Sequence, residues 1–115
     1  MPRRVELCVD CNDPERVRPW WRVALGWEER PDRHGQGTIE LVDPGDDRRR
    51  VWFQPVPEPK SAKNRLHLDV YVDRAEADSL RDRLVAMGGV VLDDSFASFV
   101  VMADPEGNEL CICWD

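Results

Sequence analysis

The last residues of the chain place groups that can bind a metal or transfer a proton at every second position. In the stretch ELCICW, Glu109, Cys111 and Cys113 alternate with apolar side chains. A β-strand directs alternate side chains to opposite faces, so one face carries a carboxylate and two thiols. Thiolate and carboxylate groups are both ligands of divalent metals such as Zn²⁺. The stretch therefore predicts a strand face that either holds a metal or lines a pocket.

A second alternating stretch, RLHLDVYV, carries the histidine best placed for the same chemistry. His67, Asp69 and Tyr71 share one face of the predicted strand, and the apolar side chains between them share the other. Near the N-terminus, Glu6 and Cys8 share a strand face in the same way. A single histidine in a strand also fits a hydrogen-bonded structural role, so the strands that surround it decide between the two interpretations.

The other candidate clusters are weaker. Cys8 and Cys11 have the spacing Cys-x-x-Cys, but on a continuous strand they face opposite sides and cannot join a four-thiolate zinc site. Cys111 beside His67 on a neighbouring strand has the composition of a nucleophile and its base, but no third orienting residue is evident. We expect His34, in the polar stretch RPDRHGQG, to be exposed.

Composition narrows the classes of function. The chain has 115 residues, of which 42% are hydrophobic and five are tryptophan, enough for one domain over residues 1–115 with a real core. A formal net charge of −7 argues against nucleic acid or an anionic membrane as a partner. The N-terminus lacks the apolar run of a secretory signal, and no stretch approaches the roughly 20 residues of a membrane span. We therefore expect a cytoplasmic protein with reduced thiols.

The two halves of the chain carry the same landmarks in the same order. The stretch VALGW at residues 23–27 matches VAMGG at 85–89, and VDPGD at 42–46 matches ADPEGN at 103–108. Both pairs of landmarks are separated by about 60 residues, which indicates a duplicated unit.

Each half contains one predicted strand, one helix and three further strands. In the first half the strand covers residues 4–9, the helix lies within NDPERVRPWWRVALG, and the later strands lie near 27–30, 37–42 and 50–54. Pro19 predicts that this helix is kinked or starts late. After an extended linker at 55–64, the order repeats with a strand at 65–72, a helix that follows it, and strands near 90–93, 98–102 and 109–114.

This pattern resembles the vicinal oxygen chelate superfamily, on the evidence of LGW after the first helix, RLHLDVYVD opening the second half and DPEGNEL before the last strand. That superfamily includes glyoxalase I, extradiol dioxygenases and the bleomycin-resistance proteins, and this chain looks most similar to its bacterial glyoxalase-like domains. The resemblance implies an α+β fold in which two tandem βαβββ modules, residues 3–57 and 64–115, form a curled mixed sheet around a cleft. The same fold hosts isomerases, lyases, oxygenases and binding proteins.

The resemblance also implies a metal site on the cleft faces of the first and last strands. Matched position by position, it gives Glu6, His67 and Cys111 as ligands of a divalent metal, which is Zn, Ni, Mn or Fe. Relatives usually carry a glutamate at the position of Cys111, and the acid nearby is Glu109. Thiolate ligation therefore departs from the usual ligand set of the family, and the alternative is a cleft that has lost its metal.

Two functions follow from the resemblance, both with a small-molecule ligand in the cleft. In the first, the metal binds two neighbouring oxygens of a substrate of a lyase or isomerase, and Glu109 or Glu6 moves the proton. In the second, a metal-free cleft sequesters an organic compound, as bleomycin-resistance proteins do. The residues expected to contact the ligand are Cys8, Trp52, Gln54, Asp69 and Tyr71. The family very often dimerises, so we expect a homodimer.

Overall fold

One order of elements occurs twice in the computed structural model, which describes residues 1–33, 35 and 37–115. The chain divides into two units, Met1–Glu58 and Pro59–Asp115. Each unit contains a strand, a helix and three strands that form one four-stranded mixed sheet. The predicted fold class, α+β with two tandem βαβββ modules, is confirmed. The prediction for His34 falls outside the described residues.

The first module consists of β1 (Leu7–Cys11), α1 (Pro14–Leu25), β2 (Glu28–Pro31), β3 (Ile39–Asp43) and β4 (Asp46–Pro55). Its sheet has the strand order β1-β4-β3-β2, in which β1 runs parallel to β4 and the other neighbours are antiparallel. The first strand begins at Leu7 and not at Arg4, so Glu6 lies just before it.

The second module consists of β5 (Leu68–Tyr71), α2 (Arg74–Ala86), β6 (Val90–Asp93), β7 (Phe99–Ala103) and β8 (Glu109–Cys113). Its sheet has the matching order β5-β8-β7-β6, with β5 parallel to β8. Strand β5 is shorter than predicted, so His67 immediately precedes it. Leu66, which continues the apolar alternation of the predicted strand at 65–72, is 89% exposed.

Helix α1 begins directly after Asp13, so of the two outcomes expected from Pro19, a kink or a late start, the late start is wrong. The Asp13 carboxylate accepts a hydrogen bond of 3.1 Å from a backbone N–H of the first turn, and Gly26 ends the helix with a φ of 68°. Trp20 and Trp21 are both buried beside the exposed proline. Their packing offsets the hydrogen bond that Pro19 cannot donate.

Apolar side chains of each helix pack on one face of the sheet in the same module. The first core contains two aromatic contacts, with the Trp21 ring 5.7 Å from that of Trp20 and 6.4 Å from that of Phe53. The second core is aliphatic, with the buried side chains Ala77, Leu84, Val100, Met102, Leu110 and Ile112. Because one sheet face is used for the core, the polar residues of the strands lie on the other.

The cysteines are free, and within the described part of the chain Cys8 is exposed and Cys11 is buried, as their positions on opposite strand faces predict. Among the residues described, neither helix has the length and apolar character needed to cross a membrane.

Candidate functional site

Three side chains of the second module, His67, Asp69 and Cys111, converge on one point. Their potential ligand atoms all lie within 4.8 Å of one another. Nδ1 of His67 is 3.2 Å from Oδ1 of Asp69 and 3.9 Å from Sγ of Cys111. The structure thus brings together two of the predicted metal ligands, and it adds Asp69, which the sequence had suggested only as a ligand-binding residue.

The register of β5 and β8 produces this convergence. The two strands are parallel, with Asp69 opposite Cys111 and Tyr71 opposite Cys113. His67 lies two positions before Asp69 and so falls on the same face. The apolar residues of β5, Leu68 and Val70, pair with the buried Leu110 and Ile112 of β8. The alternation of two sequence stretches therefore becomes one polar surface.

These residues line a cavity of about 430 Å³ in the second module, a size that suits a small organic molecule. Phe96 and Phe99 contribute stacked rings with centroids 4.2 Å apart and an angle of 15° between their planes. Trp114 also lines the cavity, and the Arg74 guanidinium lies 4.6 Å from the centre of its ring. The remaining lining residues are Lys63, His67, Asp69, Tyr71, Ser98, Val101, Cys111, Cys113 and Asp115.

The thiols of the cavity are protonated at neutral pH when no cation is present. Burial raises the pKa of Cys111 to about 11, and the charges of Asp69 and Cys113 add to the shift. Burial and Asp69 also raise the pKa of Cys113. Because the thiolate is the nucleophilic form, this environment does not support a reactive pair of Cys111 and His67. A bound cation would favour the thiolate instead.

Glu109 does not line the cavity, although it lies on the same strand. Its side chain is 4% exposed and forms ion pairs with Lys63 and, at 3.5 Å, with Lys60. It also accepts a hydrogen bond of 3.0 Å from the backbone N–H of Asn64. Burial acts to raise the pKa of this carboxyl, but the bonds from Lys63 and Asn64 and the charges of the two lysines together hold it below its ordinary value. An ionised carboxylate that is engaged in this way is a poor proton carrier.

In the first module, Glu6 belongs to a network of ion pairs. Glu6 pairs with Arg33, whose Nε is 3.8 Å from Oε2 of Glu40. Glu40 is fully buried and accepts a hydrogen bond of 2.8 Å from Nη1 of Arg50. The predicted roles of Glu6, as a metal ligand and as a proton carrier, therefore compete with a salt bridge to arginine.

The other predicted contact residues of the first module share one face of its sheet. Register pairs Cys8 with Trp52, and Sγ of Cys8 is 3.7 Å from Oε1 of Gln54. Partial burial of the thiol, together with the charge of Asp10, raises the pKa of Cys8 to about 11. These residues lie in the unit Met1–Glu58, whereas the described lining of the cavity lies in the unit Pro59–Asp115.

Two tandem βαβββ modules, each with a polar sheet face opposite its helix, define the vicinal oxygen chelate class of folds. A family model described as a glyoxalase-like domain matches residues 6–113. The chain therefore belongs to the glyoxalase-like domain family. No curated protein matches the sequence.

Solved structures with the same fold carry several different names. A glyoxalase/bleomycin resistance protein/dioxygenase family enzyme from Burkholderia phytofirmans PsJN is 18% identical, with a TM-score of 0.74 and 95% of each chain covered. A glyoxalase/bleomycin resistance protein from Albidiferax ferrireducens T118 is 18% identical, with a TM-score of 0.69 and 96% of each chain covered. The fosfomycin resistance protein FosX from Listeria monocytogenes is 9% identical, with a TM-score of 0.78, and the match covers 100% of this chain and 94% of that one. At these identities the likeness concerns the fold alone.

Proposed function

We propose that this glyoxalase-like protein binds a small organic molecule in the cavity of its second module, and that a divalent cation at His67, Asp69 and Cys111 anchors that molecule. The observation that carries the proposal is the convergence of three donor atoms within 4.8 Å on the wall of a cavity of about 430 Å³. Imidazole nitrogen, carboxylate oxygen and thiolate sulfur together suit Zn²⁺, which commonly takes four ligands. Three protein donors leave one position for an oxygen of the bound molecule.

When bound, the cation would polarise a ligand oxygen as a Lewis acid. The residues of the chain prepare the site for it. Oδ1 of Asp69 lies 3.2 Å from Nδ1 of His67, so the carboxylate and the imidazole already reach the same point of the wall. The aromatic side of the wall, which includes Phe99 and Trp114, holds the apolar part of the molecule and keeps water from it.

The lyase or isomerase reaction expected from the resemblance needs a residue that moves a proton. The two lysines and the backbone of Asn64 hold the pKa of Glu109 below its ordinary value, and the carboxylate of Glu6 is engaged in an ion pair with Arg33. We therefore propose metal-assisted ligand binding as the function of the site and assign no proton-transfer role to these two residues. The homodimer and the cytoplasmic location stay predictions.

The second candidate function is sequestration of an organic compound without a metal. The observation that favours it is the aromatic share of the wall, to which Tyr71, Phe96, Phe99 and Trp114 contribute. Rings of this kind bind flat compounds by stacking and need no cation. In this case the Cys111 thiol stays protonated and acts as an apolar lining group.

Zinc titration by calorimetry tests the metal site on protein that has been purified without an affinity tag. We expect about one equivalent of zinc per chain in the wild type. Since loss of an outer-shell partner already costs about 10–100-fold in metal affinity, His67→Ala and Cys111→Ser should each weaken binding by about 100-fold or more. Cys113→Ser is the matched control, because Cys113 lies on the same strand and lines the same cavity but is outside the three-donor group.

The control variant should bind zinc almost as the wild type does. Binding of less than about a tenth of an equivalent by the wild type would contradict the metal site. Equal loss in Cys113→Ser and Cys111→Ser would contradict the choice of ligands. If zinc fails to bind but flat aromatic compounds bind in the presence of EDTA, the metal-free function is the correct one.

A further inference from the structure

The ammonium group of Lys63 places a positive charge at the wall of the cavity, and an ion pair fixes its position. It lines the cavity, and its side chain is 61% exposed, so the ammonium remains accessible to a bound molecule. The same ammonium is paired with the buried carboxylate of Glu109. Because Glu109 is itself bonded to the backbone N–H of Asn64 at 3.0 Å, the lysine is tied to the fold at its charged end.

The group around Glu109 carries more positive than negative charge. Two ammonium groups, those of Lys60 and Lys63, face a single carboxylate. The Lys60 side chain is only 24% exposed and is not part of the described cavity wall. The group as a whole therefore carries a net positive charge, and Lys63 is the member of it that lines the cavity.

The aromatic part of the wall favours a flat molecule. The Phe96 and Phe99 rings are nearly parallel, and the Trp114 ring is held by the Arg74 guanidinium. The backbone N–H of Trp114 also donates a hydrogen bond of 3.0 Å to the carbonyl of Ser98, which lines the cavity as well. Rings that are fixed in this way provide a stacking surface at little cost in side-chain entropy.

We infer that the molecule bound in this cavity is a planar carboxylate, aromatic or conjugated, whose anionic group pairs with Lys63 and whose flat part lies against Phe96, Phe99 and Trp114. The inference rests on the proposed function, since it assigns the ligand class of the same cavity. Asp69 and Asp115 line the cavity too and repel an anion. A cation held by Asp69 offsets one of these charges, so planar carboxylates should bind more tightly with zinc than in EDTA.

Calorimetric titration of the zinc-loaded full chain with matched pairs of probes tests the inference. The pairs are benzoate and benzamide, salicylate and salicylamide, and cinnamate and cinnamamide. Each carboxylate should bind more tightly than its amide. Lys63→Met should weaken the carboxylates by about tenfold or more, because a charge-assisted hydrogen bond is lost, and should leave the amides unchanged. Lys63→Arg, which keeps the charge, should retain most of the carboxylate affinity.

Lys60→Met is the control for the Glu109 group. It removes the other ammonium and should change carboxylate affinity by less than about twofold, as is usual for a charge outside the contact surface. Carboxylates that bind no better than their amides, or a Lys63→Met variant that weakens both probe types equally, would overturn the inference. If zinc binds at the three donors and amides are preferred, the inference fails and the proposed function stands. If neither zinc nor any probe binds, both fail.

Discussion

The two modules share one architecture but use the polar faces of their sheets differently. In the first, register places Leu7 opposite Val51 in a parallel pair, and in the second it places Leu68 opposite Leu110. These two pairs are equivalent, so each polar residue of one sheet has an equivalent residue in the other, at the same number of positions from the pair.

In the first module the charged groups of this face bind one another. Glu40 is fully buried and pairs with Arg50, and Arg33 links Glu40 to Glu6. The position that matches Arg50 in the second module is Glu109, which is also buried but pairs with two lysines from the segment before β5. In both modules the charge at this position is used to stabilise the fold.

The second module leaves the neighbouring positions available for a ligand. The position that matches Glu6 is His67, and the one that matches Glu40 is Val101, because β3 and β7 pair with their last strands in the same register. With no buried ion pair at Val101, the face opens into a cavity that reaches Cys111. Duplication thus lets one module keep a stabilising network while the other keeps a site.

The largest loss of stability is expected in the first module, and its absence would contradict the contrast between the modules. Arg50→Met removes the hydrogen bond of 2.8 Å to the buried Glu40 carboxylate and the bond of 2.7 Å from Arg50 Nε to the Asp47 carbonyl. Loss of one partner of a buried ion pair costs about 3–5 kcal/mol, so the free energy of unfolding should fall by that amount. Urea denaturation measures it.

The double variant Glu40→Met, Arg50→Met is the control for this prediction. It removes both charges and should regain most of the lost stability, since apolar side chains of similar volume replace a buried pair well. A loss of less than about 1 kcal/mol in Arg50→Met would show that the network does not stabilise the first module and that the contrast between the modules is not energetic.

The elements of both modules could be predicted from the sequence because alternation and capping are local. The residues at which β1 and β5 begin could not be predicted in this way. Val5 and Leu66 continue the apolar alternation but are 75% and 89% exposed. The parallel pairing of Leu68 with Leu110 leaves no partner strand for Leu66, because β8 begins at Glu109. The alternation of side chains does not contain that information.

The same distinction applies to the candidate site. His67 and Cys111 could be placed together from strand parity and from the order of the repeat. The contribution of Phe96 and Phe99 to the cavity could not be predicted. Phe96 lies before β7 and Phe99 is its first residue, so no periodic pattern indicates that they line the cavity. The pairing of Lys63 with Glu109 joins a linker to a strand far along the chain, and no sequence spacing predicts such a contact.

A smaller effect is expected when the matching charge of the second module is removed. Glu109→Gln should lower the free energy of unfolding by about 1–3 kcal/mol, because hydrogen bonds to a buried carboxylate are lost. The cost is below that of Arg50→Met, since Lys63 and Lys60 keep partial exposure and can be hydrated. Glu58→Gln, at an exposed residue of the other unit, is the control. An equal loss of unfolding free energy in the two variants would show that Glu109 does not stabilise the fold.

The smallest effect concerns the reactivity of Cys8, which matches Asp69 by register. Although the residue is exposed, a pKa of about 11 leaves about one thiol in a thousand ionised near pH 8, so alkylation by iodoacetamide should be slow. Asp10→Asn removes the second cause of the shift and should speed the reaction a few-fold, as mass spectrometry of the labelled peptide would show.

Zinc sharpens the contrast between the two modules in the same labelling experiment. Zinc held at His67, Asp69 and Cys111 should protect Cys111 from alkylation, because the sulfur is then coordinated, and should leave the rate at Cys8 unchanged. His67→Ala should remove the protection without affecting Cys8. Protection of Cys8 by zinc would mean that the first module also offers a metal ligand, and the division between a stabilising module and a binding module would then be wrong.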